Sequence, residues 1–431
     1  MAIAVGPAQR TLVFGPRGAT SLSAFLGEAQ ALAGRLGDGD HVLNLCEDRH
    51  HFLTGFCAAA MRGQATLLPP SRAPEVIADM QRRHPRCQLL DDATVAAVIA
   101  SAPPPDVVIP GIAADNLAAI GFTSGSTGMP QANPKTWGAF ATGTAQNLAA
   151  LRDLWPLDAQ AQIVATVPPQ HMYGMELTVL LPLLGGAAVH AARPLFPADV
   201  ARALADAPHT RLLVTTPVHL RALVGSGVAL PPLAGIVSAT APLPAELAME
   251  AEERFGCEVR ELFGSTETCV IARRRTARDA AWTPLPGVRM LPLEAGTEVR
   301  AAHLHAPVHL PDRIEADGDG RFLLCGRHAD LLEIAGKRGS LGDLTRRLLE
   351  IPGVEDGCMF QLDAAPGGVA RLAALVVAPT RSEDAILEAL RAGVDPAFLP
   401  RPLRKVAALP RNETGKLPRA ALLESLRRRS R

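Results

Sequence analysis

Lysine is nearly missing from this chain. Among 431 residues and 43 basic side chains there are only Lys135, Lys337, Lys405 and Lys416; arginine supplies the rest. Each lysine therefore merits inspection, because arginine cannot replace a compact ammonium point charge. Net charge is missing too. The 43 acidic residues balance the 43 basic ones, so no global field favours nucleic acid or an anionic membrane. Seven cysteines (46, 57, 87, 257, 269, 325, 358) include no Cys-x-x-Cys pair. That scatter argues against a zinc site and suits reduced thiols. No apolar stretch is long enough to span a bilayer; the nearest, Leu177–Ala192, is broken by Pro182 and Gly185-Gly186. The opening Met1-Ala-Ile-Ala-Val5 is too short for a signal peptide. The expectation is a soluble, cytoplasmic protein without a membrane span or nucleic-acid partner. Internal repeats and long low-complexity tracts are absent.

What is present reads as two to three domains, at about 150 residues per domain. The first 230 residues alternate short apolar runs with helical patterns. His41–Leu45, Ala65–Leu68 and Cys87–Leu90 read as strands, with helices over His50–Arg62 and Pro74–His84 between them. Ile163–Val167, Ala187–Val189, Arg211–Thr215 and Gly235–Ser238 continue the pattern. This predicts parallel sheet with crossover helices. From Thr283 the texture changes to short strands and turns, and Asp317-Gly-Asp-Gly320 predicts a hairpin turn. A last mixed α/β stretch carries a helix over Leu341–Ile351, a strand over Arg371–Val377 and a helix over Ser382–Gly393.

The most informative run is Phe122-Thr-Ser-Gly-Ser-Thr-Gly-Met-Pro130. Thr123, Ser124, Gly125, Ser126, Thr127 and Gly128 combine hydroxyls with glycines that permit close backbone approach, a combination suited to phosphate oxygens. The apolar Leu117–Phe122 before it reads as a buried strand. A Walker loop is excluded, because Gly128 is followed by Met-Pro-Gln rather than Lys-Ser/Thr. Four further segments can carry chemistry: Pro168-Pro-Gln-His171-Met-Tyr-Gly174, Glu261-Leu-Phe-Gly-Ser-Thr-Glu267, Gly326-Arg327-His-Ala-Asp330 and Asn412-Glu-Thr-Gly-Lys416. Thr266 and Glu267 together suit a phosphate oxygen and Mg²⁺, a hard cation that prefers oxygen ligands. Taken singly, each segment also reads as a surface turn, a solvated acid, a core histidine or an exposed lysine.

In sequence order, these five segments resemble the adenylate-forming superfamily of acyl- and aryl-acid ligases over about residues 40–420. The resemblance implies an α/β fold: a large N-terminal domain of mixed and parallel sheets with flanking helices (1–326), a hinge (327–330) and a small mobile α+β C-terminal domain (331–431). It implies that Thr123–Gly128 bind phosphate and that His171 lines the acyl pocket. Ala239, Thr240, Ala241 and Pro242, with Phe263 and Gly264, would contact the adenosine. Thr266 would meet the α-phosphate, Glu267 would ligate Mg²⁺, Asp312 and Arg327 would bind ribose, and Lys416 would be the catalytic lysine. ATP and Mg²⁺ are the implied cofactors. The implied reaction joins a small carboxylic acid to AMP, releases pyrophosphate, and transfers the acyl group to CoA or an acyl carrier protein after the small domain rotates.

The chain departs from the family pattern in places. Gln131 stands where lysine usually follows the loop's proline, with Lys135 four residues on as a substitute. Ala329 replaces the first hinge aspartate, and Asp312 sits in Leu-Pro-Asp rather than Thr-Gly-Asp. The chain is shorter than typical members, mainly in its N-terminal part and around 270–315. No aspartate follows His171-Met-Tyr-Gly174 to pair an amino acid's ammonium, unless Glu176 does so. The segment is similar to those of aryl or fatty acid activators, and the compact length and the Met-Pro-Gln…Pro-Lys-Thr-Trp137 stretch resemble ligases of aryl polyene and xanthomonadin-type clusters, which implies a hydroxybenzoate-like acid. Two other readings stay open: a kinase-type ATP enzyme releasing ADP, and a non-catalytic nucleotide binder on the same fold. The tail Arg427-Arg-Arg429-Ser-Arg431 reads as a frayed end or a steering patch for an acidic carrier protein.

Overall fold

The structure, a computed structural model, describes residues 1–101, 111–124, 130–327, 331–334, 337–362, 371–412 and 415–427. Two compact units emerge: Met1–Arg289 with Val299–Val308, and Met290–Glu298 with His309–Arg431.

In the first unit, β1 (Thr11–Gly15) and β2 (Gly18–Ser21) open as a hairpin. Five strands then form one sheet: β3 (His41–Asn44), β4 (Ala65–Leu68), β5 (Cys87–Leu90), β6 (Leu117–Ser124) and β7 (Pro130–Thr136), in the order β5-β3-β4-β6-β7. All neighbours are parallel except β6 and β7. The expected strands and crossover helices are in place; the helices run over Arg49–Met61 and Pro74–Arg83. β7 went unread in the sequence because it contains Pro130 and Pro134. Proline lacks the N–H that a central strand needs, and β7 tolerates it at the sheet edge. Leu43, Leu67, Ile120 and Phe122 of this sheet bury against Ile77 and Met80 of the helix Pro74–Arg83.

The second sheet has nine strands. β8 (Gln162–Ala165), β9 (Ala188–His190), β10 (Arg211–Thr215), β11 (Gly235–Ser238), β12 (Val259–Ser265), β13 (Cys269–Arg274) and β14 (Thr283–Pro284) join β1 and β2 in the order β14-β13-β12-β11-β10-β8-β9-β1-β2. The run from β12 to β1 is parallel. Helices Pro197–Ala205, Pro217–Gly225 and Ala245–Phe255 cover one face, burying Val200, Leu204, Leu220, Leu223, Leu247 and Ala251 against β8, β10 and β11. Their ends follow local chemistry. Thr216 caps the second helix by accepting from His219 N, with Pro217 at its first position. Gly256 ends the third at φ 63°, a left-handed conformation that glycine adopts without strain.

Arg49 joins the two sheets. It is fully buried at the start of the helix Arg49–Met61. Its Nη1 donates to Ala192 O at 2.7 Å and His190 O at 3.4 Å, and its Nη2 to Ala165 O at 2.8 Å and Val167 O at 2.5 Å. Burial pulls the guanidinium down to about 9, so it stays charged at neutral pH.

The second unit contains β15 (Arg289–Leu293), β16 (Gly296–Arg300) and β17 (Val308–Leu310), where the chain crosses between units, then the hairpin β18 (Asp312–Ala316) and β19 (Phe322–Arg327) closed by the expected Asp317–Gly320 turn. The pair β20 (Leu331–Ile334) and β21 (Lys337–Ser340) precedes the helix Leu341–Leu349. A three-stranded sheet of β22 (Asp356–Gln361), β23 (Leu372–Val377) and β24 (Leu403–Lys405) follows, with helices Glu383–Arg391 and Arg419–Arg427. Leu344, Leu348, Met359, Ala374, Ile386 and Leu390 form its main core. Residues 328–330 of the expected hinge and 428–431 of the basic tail lie outside the described residues. Among the described residues, no helix is long and apolar enough to cross a membrane.

Replacing Arg49 by Met would leave four carbonyls without their donor. Urea unfolding of Arg49→Met should show a loss of at least about 3 kcal/mol, given the penalty for buried unsatisfied groups. A loss below about 1 kcal/mol would mean that water replaces the guanidinium.

Candidate active site

The expected site residues of the first unit sit at the carboxyl ends of strands. Such ends are where open α/β sheets bind ligands. Thr123 and Ser124 close β6 and pair across to Gln131 and Pro130 of β7. Gly125, Ser126, Thr127 and Gly128 lie outside the described residues. His171 stands in the turn after β8, preceding the short helix Met172–Met175. Ala239–Pro242 follow β11, and Phe263 and Gly264 lie near the end of β12, with Thr266 and Glu267 in the turn to β13.

Three of these segments meet at one point. A β-carbon on Gly121 of β6 would lie 2.7 Å from Thr266 Cγ2 and 3.1 Å from Met172 Cε. Only glycine lets β6, the His171 segment and the Thr266 turn approach so closely. Glycine is demanded twice more: a β-carbon on Gly174 would fall 1.9 Å from Pro168 O, and one on Gly264 2.2 Å from Cys269 O. Both distances are far inside contact, so the turn 168–174 and the β12–β13 bulge each require the missing side chain.

Hydrogen bonds hold these segments in place. Tyr173 Oη donates to Val237 O at 2.9 Å, tying the His171 segment to β11. Glu261 Oε1 accepts from Leu243 N at 2.9 Å, which anchors the end of the Ala239–Pro242 turn. Its Oε2 accepts from Arg274 Nε at 2.7 Å and Thr276 Oγ1 at 2.6 Å. Inside that turn Thr240 holds φ 81°. A β-branched residue rarely adopts this conformation, and such strain collects where a chain must present a surface to a ligand.

The Thr266–Glu267 turn is bound from within and from below. Ser265 N donates to Thr268 Oγ1 at 3.1 Å and Thr268 N to Ser265 Oγ at 3.2 Å. His303 Nε2 donates to Thr268 O at 2.8 Å. Lys135 Nζ donates to Glu267 O at 2.6 Å, although only 6% of Lys135 is exposed. The expected substitute for the missing loop lysine thus reaches a main-chain carbonyl, while Gln131 is exposed. Behind Lys135 lies Glu176, at the start of a π-helical turn, Glu176–Leu180. Its Oε1 and Oε2 each accept from Val270 N at 3.1 Å, and Oε1 accepts from Asn147 Nδ2 at 3.0 Å. Burial raises the Glu176 carboxyl to about 7, against the Val270 N–H, Asn147 and the Lys135 charge, which favour ionisation. Burial likewise pushes the Cys269 thiol up to about 12, and it lowers His303. This cluster carries no recognisable motif. The one signal in the sequence was Lys135 itself, the only lysine in the first 336 residues.

The Glu267 carboxylate is half-buried and has no hydrogen-bond or ion-pair partner among the described residues. It fits a Mg²⁺ held mostly by phosphate and water, a cation that needs only one or two protein carboxylates. Among the described residues there is no three-ligand cluster that would cage a metal without a nucleotide.

In the second unit, Asp312 and Arg327 are direct cross-strand partners in the β18–β19 hairpin, so the two expected ribose ligands share one register position. Thr297 Oγ1 donates to Asp312 O at 2.6 Å. Lys416 is exposed on a tight turn. Its N–H donates to Asn412 Oδ1 at 2.9 Å, Asn412 N donates back to Lys416 O at 2.8 Å, and Gly415 sits at φ 79°. Arg411 braces the turn by donating to Gly415 O and, through two nitrogens at 3.0 and 2.7 Å, to Asp356.

Two predictions follow from this geometry. Gly121→Ala should push the Thr266 turn away and lower ATP-dependent turnover about tenfold or more, because small displacements of positioned groups are costly. Its melting temperature should change little; unchanged turnover would disprove the close approach. For Glu176, the unfolded chain titrates near 4.5 and the native carboxyl near 7. Between those values the native state binds the proton more tightly, so stability falls as pH rises. The urea midpoint of Glu176→Gln, relative to the parent, should therefore climb from about pH 5 to about pH 8. A pH-independent difference would contradict the raised value.

Comparison with known proteins agrees with this arrangement. A family model described as AMP-binding enzyme matches residues 41–301. A 4-coumarate–CoA ligase of Rhodobacter capsulatus is 35% identical over 298 residues, covering 68% of this chain and 73% of the relative. A 4-coumarate–CoA ligase of Halorhodospira halophila is 32% identical over 312 residues, with the same 68% and 73% shares. Among solved structures, the o-succinylbenzoate CoA synthetase of Bacillus subtilis in complex with its acyl-adenylate intermediate shares the fold, with a TM-score of 0.81 at 17% identity over 98% of this chain and 96% of that one. The chain belongs to the AMP-binding enzyme family, within the adenylate-forming superfamily.

Proposed function

We propose that the protein activates an aryl carboxylic acid with ATP, forming an acyl-adenylate and pyrophosphate, and then transfers the acyl group to the thiol of CoA. The convergence of β6, the His171 segment and Thr266 at Gly121 carries this reading, because it brings together the segments read as phosphate-binding and acyl-binding. Two relatives named as 4-coumarate–CoA ligases support an aryl acid and favour CoA over a carrier protein.

In the first step a carboxylate oxygen attacks the α-phosphorus in line, and pyrophosphate leaves. This chemistry asks the protein for positioning and charge stabilisation. Thr123–Gly128 hold the β- and γ-phosphates, and Thr266 donates to the α-phosphate. Bound Mg²⁺ would neutralise phosphate charge, with Glu267 as its protein ligand. Ala239–Pro242, Phe263 and Gly264 face the adenine, and Asp312 and Arg327 hold the ribose hydroxyls. His171 lines the acyl pocket. Lys416 supplies positive charge to the carboxylate and α-phosphate as the pentacovalent centre forms. For the second step the C-terminal domain turns about residues 327–330, withdrawing Lys416 and admitting the thiol.

Glu176 bears on the acid. Its carboxylate is 3% exposed and accepts from Val270 N and Asn147, so it is not available to pair a substrate ammonium. That disfavours α-amino acids.

The test is pyrophosphate release with ATP and Mg²⁺ against hydroxycinnamates, hydroxybenzoates, fatty acids and α-amino acids, followed by mass detection of the thioester with CoA or with a holo carrier protein. Aryl acids should turn over best, CoA should be acylated, and Lys416→Ala should lower adenylation by about a hundredfold or more. Preference for fatty acids, or acylation of the carrier protein alone, would correct the substrate or the acceptor. Acid-independent ATP binding, indifferent to Lys416→Ala, would mark a non-catalytic homologue.

A further inference from the structure

Lys135 and Glu176 are two buried ionisable side chains, close enough for the Lys135 charge to favour Glu176 ionisation, that the reaction as derived above does not use. Burying an ammonium and a carboxylate is expensive, and a pair of apolar residues of similar volume often serves stability as well or better. Stability is therefore a weak reason for the pair to be there, and its geometry suggests another. Lys135 sits in β7, directly after the phosphate loop, opposite Ala119 of β6. Its Nζ donates to Glu267 O at 2.6 Å, so it links the phosphate-loop hairpin to the turn that carries Thr266 and Glu267. His303 binds the next carbonyl, Thr268 O, at 2.8 Å. Consecutive carbonyls of the turn are thus held by two side chains from distant parts of the sequence. With its main chain held at that point, the Glu267 carboxylate is left without a partner among the described residues.

We infer that Lys135 is a positioning residue for Glu267: its buried ammonium holds the Glu267 main chain and so aims the carboxylate at the metal and phosphate oxygens. This rests on the reading of Glu267 as the Mg²⁺ ligand. Glu176 completes the device. Its carboxyl oxygens accept from Val270 N, three residues beyond Glu267, and so tie down the far side of the same turn. Groups that orient a metal ligand typically change metal affinity or activity by about 10- to 100-fold when removed.

The experiment uses the pair Lys135→Met with Glu176→Gln, which removes both charges and preserves volume, and Lys135→Gln with Glu176→Gln as a second version. ATP binding is measured by calorimetry with Mg²⁺ and with EDTA, and amide exchange is followed over residues 265–270 without nucleotide. Both double variants should melt cooperatively near the parent and bind ATP in EDTA as the parent does. The tightening of ATP binding by Mg²⁺ should fall about tenfold in the methionine version, and amides 265–270 should exchange faster. Pyrophosphate release at saturating acid should fall by about 10- to 100-fold, with the KM for the acid unchanged. Parent-like Mg²⁺ tightening and exchange in the methionine version would overturn the inference. Loss of the cooperative melt in both versions would assign Lys135 to fold stability and overturn it as well. If the parent itself shows no tightening by Mg²⁺, the reading of Glu267 fails, and this inference fails with it.

Discussion

The two sheets of the first unit can build a site only if their strand ends are fixed against each other, and the buried Arg49 guanidinium does that. It rises from the helix following β3 of the five-stranded sheet, and its nitrogens end on carbonyls beside β8 and β9 of the nine-stranded sheet. Two of those carbonyls belong to the last residues of β8 and β9, Ala165 and His190, and two lie just beyond, at Val167 and Ala192. One planar group with several N–H donors answers four of them together, which a lysine could not do with the same geometry. The residues just beyond, Thr166 to His171, inherit that fixed starting point. The contact of Gly121 with Met172 and Thr266 then becomes a matter of fractions of an ångström rather than of loop drift.

A second constraint acts within that frame. On the proposed reading, a turn that presents a hydroxyl and a carboxylate to phosphate must be stiff, yet its own side chains must stay uncommitted. The Thr266–Glu267 turn satisfies both demands by taking its rigidity from elsewhere: the Ser265–Thr268 exchange, His303 below Thr268, and Lys135 below Glu267. The Ala239–Pro242 turn shows the same division. Glu261 anchors its end at Leu243, and Thr240 carries the backbone strain. In each case a buried side chain holds the main chain, Lys135 at Glu267 O and Glu261 at Leu243 N.

Much of this was legible in the sequence for a simple reason. Parallel strands buried on both faces write continuous apolar runs, and β3 to β6 and β8 to β11 follow those runs closely. Gly174 and Gly264 stand in segments singled out from the sequence, but the need for glycine at Gly121, inside an apolar strand, was not legible. β7 was not, since its prolines contradict strand propensity and only the edge position excuses them. The Lys135–Glu176–His303 cluster was not either. Its members lie 41 and 127 residues apart in the chain, and each alone resembles an ordinary polar residue. The pairing of Asp312 with Arg327 depended on register, which the Asp317–Gly320 turn sets but which the flanking sequence does not display.

Glu176 shows how such a hidden cluster bears on the choice of substrate. By position it follows the His171 segment, proposed to line the acyl pocket, where an acid could have met a substrate ammonium. In the fold it points into the protein and is held by Val270 N and Asn147, beside Lys135. A carboxylate raised to about 7 by burial is a poor ammonium anchor, because it is partly neutral when the ammonium is charged. The same side chain holds Val270 just beyond the Thr266–Glu267 turn and is buried, so it presents no anion to a substrate ammonium.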